Sequence, residues 1–198
     1  MNSPSSSTQP NTKVSKSTFR NPFKGFYSLW LRDFGSLSFL MVALLGCGLT
    51  ILTILTKPEK IDVINLALGM TILSISTSVA WQCIKLAASE CAVLIPHYRQ
   101  QVLIQATSIW VVTLVLSLVA FKLSELTSIV ILMLFVSIGM GFIYACLIKP
   151  QRFNFSMLVY LCLPITPELT HYIPQLMADF IVLIPLLLAV LIARELTR

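Results

Sequence analysis

The stretch from Phe34 to Thr56 contains no charged side chain over 23 consecutive residues, and at least three more long apolar stretches follow it. A helix of this length crosses the ~30 Å hydrocarbon core of a lipid bilayer. Several such stretches in one chain indicate several crossings. The sequence therefore predicts an all-α fold, a polytopic transmembrane helix bundle.

The composition of the chain suits a lipid environment. Charged residues make up 11% of the 198 residues and hydrophobic residues 57%, whereas a soluble domain has ~25% charged residues. The formal net charge of +6 comes from cations at the ends of the apolar stretches, where they set orientation in a membrane. A basic stripe with interleaved aromatic residues is absent from the sequence, so we expect no nucleic-acid partner.

Two segments precede the first apolar stretch. Residues 1–21 are rich in Ser, Thr, Asn and Pro, which predicts a disordered cytoplasmic tail; an organellar transit peptide has a similar composition and is the alternative. Residues 22–33 combine cations with aromatic residues on one helical face, which predicts an interfacial helix along the cytoplasmic surface. An extension of the first span is the alternative. The aromatic residues are Phe23, Phe26, Tyr27 and Trp30.

Residues 34–198 are predicted to form a transmembrane bundle of six spans. The second helix continues by its pattern to about Ile95 and is then longer than the bilayer core is thick. The fifth span is short, so a tilted span, a break at Pro164 and a re-entrant segment all remain open. A single crossing over this last region would leave five spans. The six spans are expected at about residues 34–56, 63–86, 100–121, 126–148, 153–165 and 176–193.

The distribution of Lys and Arg predicts the orientation of the bundle. With a cytoplasmic N-terminus and six spans, all of the 14 Lys and Arg residues except Lys57, Lys60 and Lys122 lie on the inner side. Both termini are therefore expected in the cytoplasm, whereas five spans would place Arg194 and Arg198 outside. We expect a bacterial inner membrane, with an organellar membrane as the alternative.

A polar stripe runs along the second span. Its members recur at steps of three and four residues, which places them on one helical face. A polar face in a membrane helix avoids lipid, so these residues are candidates for lining a substrate path. The alternative is packing between helices, with hydroxyl groups bonded to the backbone. The candidate path-lining residues are Thr71, Ser74, Ser78 and Gln82.

A few other charged or ionisable residues are candidates for function. Asp179 is the only acid inside a predicted span, which marks it as a candidate intramembrane acid; a boundary residue reaching outer water is the alternative. Glu90, His97 and Arg99 lie near the inner end of the second helix and after it, and are candidates for docking a cytosolic partner. Exposed helix surface is the alternative for Glu90, and a residue at the membrane interface is the alternative for His97.

The sequence carries no motif for catalysis or for a bound cofactor. None of the five cysteines forms a C-x-x-C pair, and the phosphate-loop, H-E-x-x-H and G-x-S-x-G motifs are absent. We therefore expect no enzyme activity, no cofactor and no metal. Small residues, such as Ala43 with Cys47, Ser137 with Gly141 and the Gly46–Gly48 cluster, predict close helix contacts.

Residues 23–32, 86–99 and 164–175 lie before span one, between spans two and three, and before span six. With these stretches in these places, the layout resembles the membrane subunit of type-2 ATP-binding-cassette exporters. Those permeases have an interfacial helix, a cytosolic coupling segment and a re-entrant hairpin at the corresponding positions. The resemblance covers most of the chain after residue 21. It implies that a separate chain supplies ATP hydrolysis, because this one has no nucleotide-binding motif.

Three functions are therefore open from the sequence. The first is the permease subunit of an ATP-driven exporter that works with a separate cytosolic ATPase. The second is a non-transport membrane scaffold or assembly protein, and the third is an ion-coupled carrier that uses Asp179. In each case the lipid bilayer surrounds the protein. The sequence leaves open whether the chain forms a homo-oligomer or a hetero-oligomer.

Overall fold

The computed structural model describes residues 23, 25–56, 61–88, 98–124, 128–170, 172 and 175–197. In these ranges the chain is helical and contains no strand, which confirms the predicted all-α fold. Two short helices, Tyr27–Leu31 and Pro150–Phe155, precede the first and fifth α-helices. The α-helices are α1 (Phe34–Thr56), α2 (Ile61–Ala88), α3 (Tyr98–Ser124), α4 (Ile129–Ile148), α5 (Ser156–Thr170) and α6 (Gln175–Thr197).

Four helices are long and apolar enough to cross a membrane. Their mean hydropathies lie between 1.7 and 2.5, and each of the four stretches has at least 20 residues. This length matches the ~20 residues that a bilayer core requires. The finding supports the prediction of a membrane protein. The four stretches are Phe34–Thr56, Val63–Ala88, Tyr98–Leu123 and Ile129–Ile148.

Helix α2 lies at the centre of the bundle. It packs against α1, α3, α4 and α5, while α6 packs against α4. In α2, 78% of the most apolar part of the helix is buried inside the protein. The corresponding share is 22% for α1 and 28% for α3. The leucines and valines that α1 and α3 expose are suited to contact lipid, because lipid tails are as apolar as these side chains.

Small residues allow the helices to approach α2 closely. A Cβ added to Gly46 would lie 2.6 Å from the Thr71 hydroxyl, and one added to Gly69 would lie 2.7 Å from Phe135. Of the small residues singled out in the sequence, Ala43 is also buried, whereas Gly48 and Gly141 face open space. The predicted close contacts therefore occur at some of these positions and not at others.

Some predicted features differ from the helices observed, and some cannot be compared. α5 continues through Pro164 and Pro167 to Thr170, so the chain does not break at Pro164. The predicted tail at residues 1–21 and the continuation of the second helix to Ile95 fall outside the described residues.

Replacing Gly139 with alanine is expected to lower the midpoint of thermal unfolding. A Cβ there would lie 2.3 Å from Ser76 Oγ and 2.9 Å from Ser76 Cβ, and such overpacking costs about 1–3 kcal/mol. The matched control is Gly141→Ala, where the added Cβ meets nothing within 4 Å and alanine favours the helix by about 1 kcal/mol. Tryptophan fluorescence in detergent measures both midpoints, and equal midpoints would contradict this α2–α4 contact.

Candidate functional site

Asp33 is the centre of a polar cluster at one end of the bundle. It directly precedes α1, and its Oδ2 accepts a hydrogen bond from the Ser36 backbone N–H at 3.4 Å. This is the geometry of a helix N-cap, in which a carboxylate satisfies a backbone donor of the first turn. The negative charge also suits the positive end of the helix dipole. The start of α1 is thus tied to the carboxylate.

Three side chains of α2 converge on the same carboxylate. Lys85 Nζ forms an ion pair with Asp33 Oδ1, and Trp81 Nε1 donates to Asp33 Oδ2 at 2.7 Å. Gln82 Nε2 donates to Asp33 Oδ2 at 3.3 Å and to the Leu29 carbonyl at 2.9 Å. We name Asp33, Trp81, Gln82 and Lys85 the Asp33 cluster. It joins the segment before α1 to the end of α2.

The environment of Asp33 favours its ionised form. Burial raises the pKa of the carboxyl group, but hydrogen bonds from Lys85 and Trp81, together with the charge of Lys85, outweigh burial. The net pKa therefore lies below the ordinary value of 3.8. Because folding lowers this pKa, the group stabilises the protein above the unfolded pKa, and the stabilisation is lost as the pH falls through the folded pKa.

Two buried polar contacts extend the cluster into the bundle. Trp30 is fully buried, and its Nε1 donates to Gln105 Oε1 of α3 at 3.0 Å. Ser36 and Ser78 are also fully buried, and their hydroxyl oxygens lie 2.8 Å apart between α1 and α2. The segment predicted to lie along the membrane surface therefore inserts one residue, Trp30, among the helices.

A cavity of about 370 Å³ adjoins the Asp33 cluster. Its lining is mixed, because Leu29 and Val102 lie beside the polar residues. The polar lining residues are Ser28, Asp33, Gln82, Lys85 and Tyr98. In the part of the chain that the structure describes, no three His, Cys, Asp or Glu residues are grouped to hold a metal ion. The cavity offers an ion pair and hydrogen-bonding groups to a ligand at this end of the bundle.

The candidate path-lining residues are mostly buried and bonded. Ser74, Ser78 and Gln82 are at most 3% exposed. Tyr160 of α5 donates from its hydroxyl to Ser74 Oγ at 3.0 Å, and the Thr71 hydroxyl donates to the Ala67 carbonyl at 3.0 Å. These residues connect α2 to its neighbours or to its own backbone. Their role in a substrate path stays a prediction.

The remaining candidate residues lie largely outside the described part of the structure. Arg99 is exposed at the start of α3. Glu90 and His97 fall outside the described residues, and Asp179 belongs to α6 but its side chain is outside the described part. A docking role for the first three and an ion-coupling role for Asp179 stay predictions.

A second and larger cavity is apolar. It has a volume of about 610 Å³, with α3 and α6 as its sides and α2 and α4 as its floor. Leu103 and Trp110 of α3 face Leu186 and Ala189 of α6 across it, and Val136 of α4 contributes to the floor. We name this cavity the α3–α6 groove. Its lining is suited to a hydrocarbon chain or an apolar side-chain surface.

The sequence did not single out Asp33, Gln105 or Tyr160 as residues of the site. It also gave no indication that Trp30 is buried. The signal for Asp33 was present, because an aspartate directly before an apolar helix is typical of an N-cap. The other three give no comparable local signal, since each depends on a partner at least 75 residues away.

Comparisons with known proteins leave the family open. No protein-family model matches the chain, and neither curated proteins nor solved structures give a match. The functional argument therefore depends on the geometry of the chain itself.

Replacing Asp33 with asparagine is expected to lower the thermal unfolding midpoint at pH 7. Asparagine caps a helix as well as aspartate does, so the change isolates the charge that Lys85 and Trp81 recognise. We expect a loss of about 1–2 kcal/mol, because hydrogen bonds to charged groups are strong but Lys85 is half exposed.

The pH dependence provides the control for this substitution. Because the folded pKa of Asp33 lies below the ordinary value of 3.8, the wild-type midpoint should fall as the pH drops through 3.8 and then through the lower folded pKa. The asparagine variant should lack this part of the dependence. Superimposable pH profiles for the two proteins would contradict an ionised Asp33 in the fold.

Proposed function

We propose that this protein is a multi-pass membrane scaffold or assembly protein without enzyme activity. One observation carries the proposal: Ser74, Ser78 and Gln82, the polar residues most suited to line a path, are buried and hydrogen-bonded within the protein. A substrate path requires polar groups that meet water or substrate, whereas Ser74 and Ser78 bond to Tyr160 and Ser36 inside the protein. Gln82 bonds to Leu29 and Asp33 and also borders the cavity beside the Asp33 cluster. The interior thus holds the helices together and leaves the outer surface for binding.

The helix contacts support this role for the stripe. Each hydrogen bond between membrane helices contributes about 0.6–2 kcal/mol, and the stripe makes such bonds to α1 through Ser78 and to α5 through Ser74. Thr77 adds a contact with Tyr160 at 3.3 Å. A bundle held in this way presents a defined surface to a partner in the membrane.

Six spans with both termini in the cytoplasm are part of the proposal. The Asp33 cluster places Lys85 at the same end as the start of α1, and the ring of Phe153 lies 5.0 Å from that of Trp81. The turn between α4 and α5, which carries Lys149 and Arg152, therefore adjoins the cluster. Cations gathered at one end of a bundle favour a cytoplasmic location for that end.

Reporter tags at the two termini test this topology. An alkaline phosphatase or green fluorescent protein fused to either end should report the cytoplasm in both cases. The control is the same pair of fusions to a protein with five spans. Reports from opposite compartments would contradict an even number of crossings.

Cysteine accessibility tests the scaffold proposal. In a variant whose five native cysteines are replaced, Ser74→Cys and Ser78→Cys should resist a membrane-impermeant maleimide in the folded protein and react after denaturation. The matched control is Asn154→Cys, because Asn154 is exposed and should react before denaturation. Labelling of the two buried positions from water would overturn the proposal and favour a transport path.

The permease subunit of an ATP-driven exporter is the second candidate. Ala88 and Tyr98 flank residues 89–97, which include the candidate docking residues Glu90 and His97, and both flanking residues line the cavity beside the Asp33 cluster. A cytosolic ATPase that docks on this segment would therefore reach the ion pair of Asp33 and Lys85. This placement favours communication between a docking segment and the bundle, which an exporter requires.

A further inference from the structure

Two free cysteines lie together in the interior of the bundle. Cys83 of α2 is 5% exposed and Cys146 of α4 is 1% exposed, and both belong to one packed cluster of buried side chains. We propose that the two thiols form a redox pair, which a quinone dissolved in the bilayer oxidises to a disulfide between α2 and α4. This site goes beyond the scaffold role and does not depend on it, because it requires only a bundle in lipid with these two helices packed together.

The helices α2 and α4 run in the same direction at their contact. A Cβ added to Gly69 of α2 would meet the Phe135 ring of α4, and one added to Gly139 of α4 would meet the Ser76 side chain of α2. The later residue of α2 therefore meets the later residue of α4. The two glycines also allow the backbones to approach closely, because neither has a side chain to separate the helices.

The two cysteines continue this contact toward the end of both helices. Cys83 is seven residues after Ser76, and Cys146 is seven residues after Gly139. Seven residues are about two helical turns, so each cysteine lies on the same helical face as the earlier residue. The Cys83 thiol also lies within electrostatic range of the Cys146 thiol. The cysteines therefore face one another across two closely packed backbones, which is the arrangement that a disulfide requires.

Lipid, rather than water, gives access to the pair. Cys83 lines the α3–α6 groove, and so do Val111, Leu118 and Leu186, which are each at least 41% exposed on the outside of the bundle. The groove therefore opens onto the surface that is suited to contact lipid. Because both cysteines are almost fully buried, an oxidant confined to water does not reach them, whereas one dissolved in hydrocarbon reaches Cys83.

The chemistry of the pair defines the class of oxidant. When the disulfide forms, two S–H bonds break and one S–S bond forms, and the two cysteines together release two protons and two electrons. A quinone takes up two protons and two electrons and becomes a hydroquinone, so the atoms and electrons balance. Quinones with an apolar tail dissolve in the bilayer core, which places the oxidant on the accessible side of Cys83. An added thiol reverses the change by thiol–disulfide exchange.

A disulfide at this position would link two helices at the centre of the bundle. α2 packs against four other α-helices, and α4 packs against α2, α5 and α6. A covalent link between them restricts the unfolded chain, since it closes the loop from Cys83 to Cys146. The oxidised protein should therefore unfold at a higher temperature than the reduced protein, and a reducing agent should abolish the difference.

Thiol titration in liposomes tests the inference. The test variant keeps Cys83 and Cys146 and has serine in place of Cys47, Cys91 and Cys162. Treatment with decylubiquinone should remove both free thiols and lower the intact mass of the monomer by two hydrogen atoms, and dithiothreitol should reverse both changes. Ferricyanide, which stays in water, should leave both thiols free. In the unsubstituted protein, peptide mapping after quinone treatment should find the same link between Cys83 and Cys146.

A shifted thiol provides the matched control. Cys83→Ser combined with Ile84→Cys keeps a thiol in α2 but turns it about 100° around the helix, away from Cys146, so both thiols should stay free. Persistence of both thiols in the test variant, with no link in the unsubstituted protein, would overturn the inference. Equal oxidation of the shifted variant would remove the facing geometry, and equal oxidation by ferricyanide would remove the lipid route, so either result would overturn it as well.

Discussion

The arrangement of the bundle depends on satisfying the polar side chains of α2 away from water. Four helices surround α2, so most of its buried polar groups bond inside the protein, although Asn65 Oδ1 has no partner among the described residues. Ser78 forms a hydrogen bond with Ser36 of α1, and Ser74 accepts one from Tyr160 of α5. Gln82 and Lys85 bond to the segment before α1. In a membrane, apolar packing distinguishes protein from lipid weakly, because both are hydrocarbon. Directional bonds therefore fix how α1 and α5 are rotated against α2.

Much of the fold follows from helix length and apolar composition. The uncharged stretch that begins at Phe34 coincides with α1, and the all-helical fold was predicted because such stretches have no other stable form in lipid. The residues of the polar stripe from Thr71 to Gln82 lie in α2. Their partners could not be predicted, because spacing along one helix says nothing about which helix packs beside it. Ser74 and Ser78, four residues apart, contact α5 and α1 respectively.

The candidate site shows the same division between local and distant information. The capping role of Asp33 can be derived from the few residues around it, because an aspartate directly before an apolar helix is a preferred N-cap for a backbone N–H of the first turn. Its ion pair with Lys85 cannot, because 52 residues separate the two, and only the antiparallel packing of α1 and α2 brings them together. The groove is still less predictable, since Leu103 and Ala189 become opposite sides of one cavity only after four helices have packed.

The burial of Trp30 has a consequence for the order of assembly. Its acceptor, Gln105, is 75 residues further along the chain, and ribosomes add roughly 5–20 residues per second. The tryptophan therefore waits about 4–15 s before its partner is synthesised. Indole side chains are favoured at the membrane–water interface, among the lipid head groups. Trp30 therefore reaches its final hydrogen-bonded position only after Gln105 of α3 has been added to the chain, which makes the docking of the N-terminal segment a late step of folding.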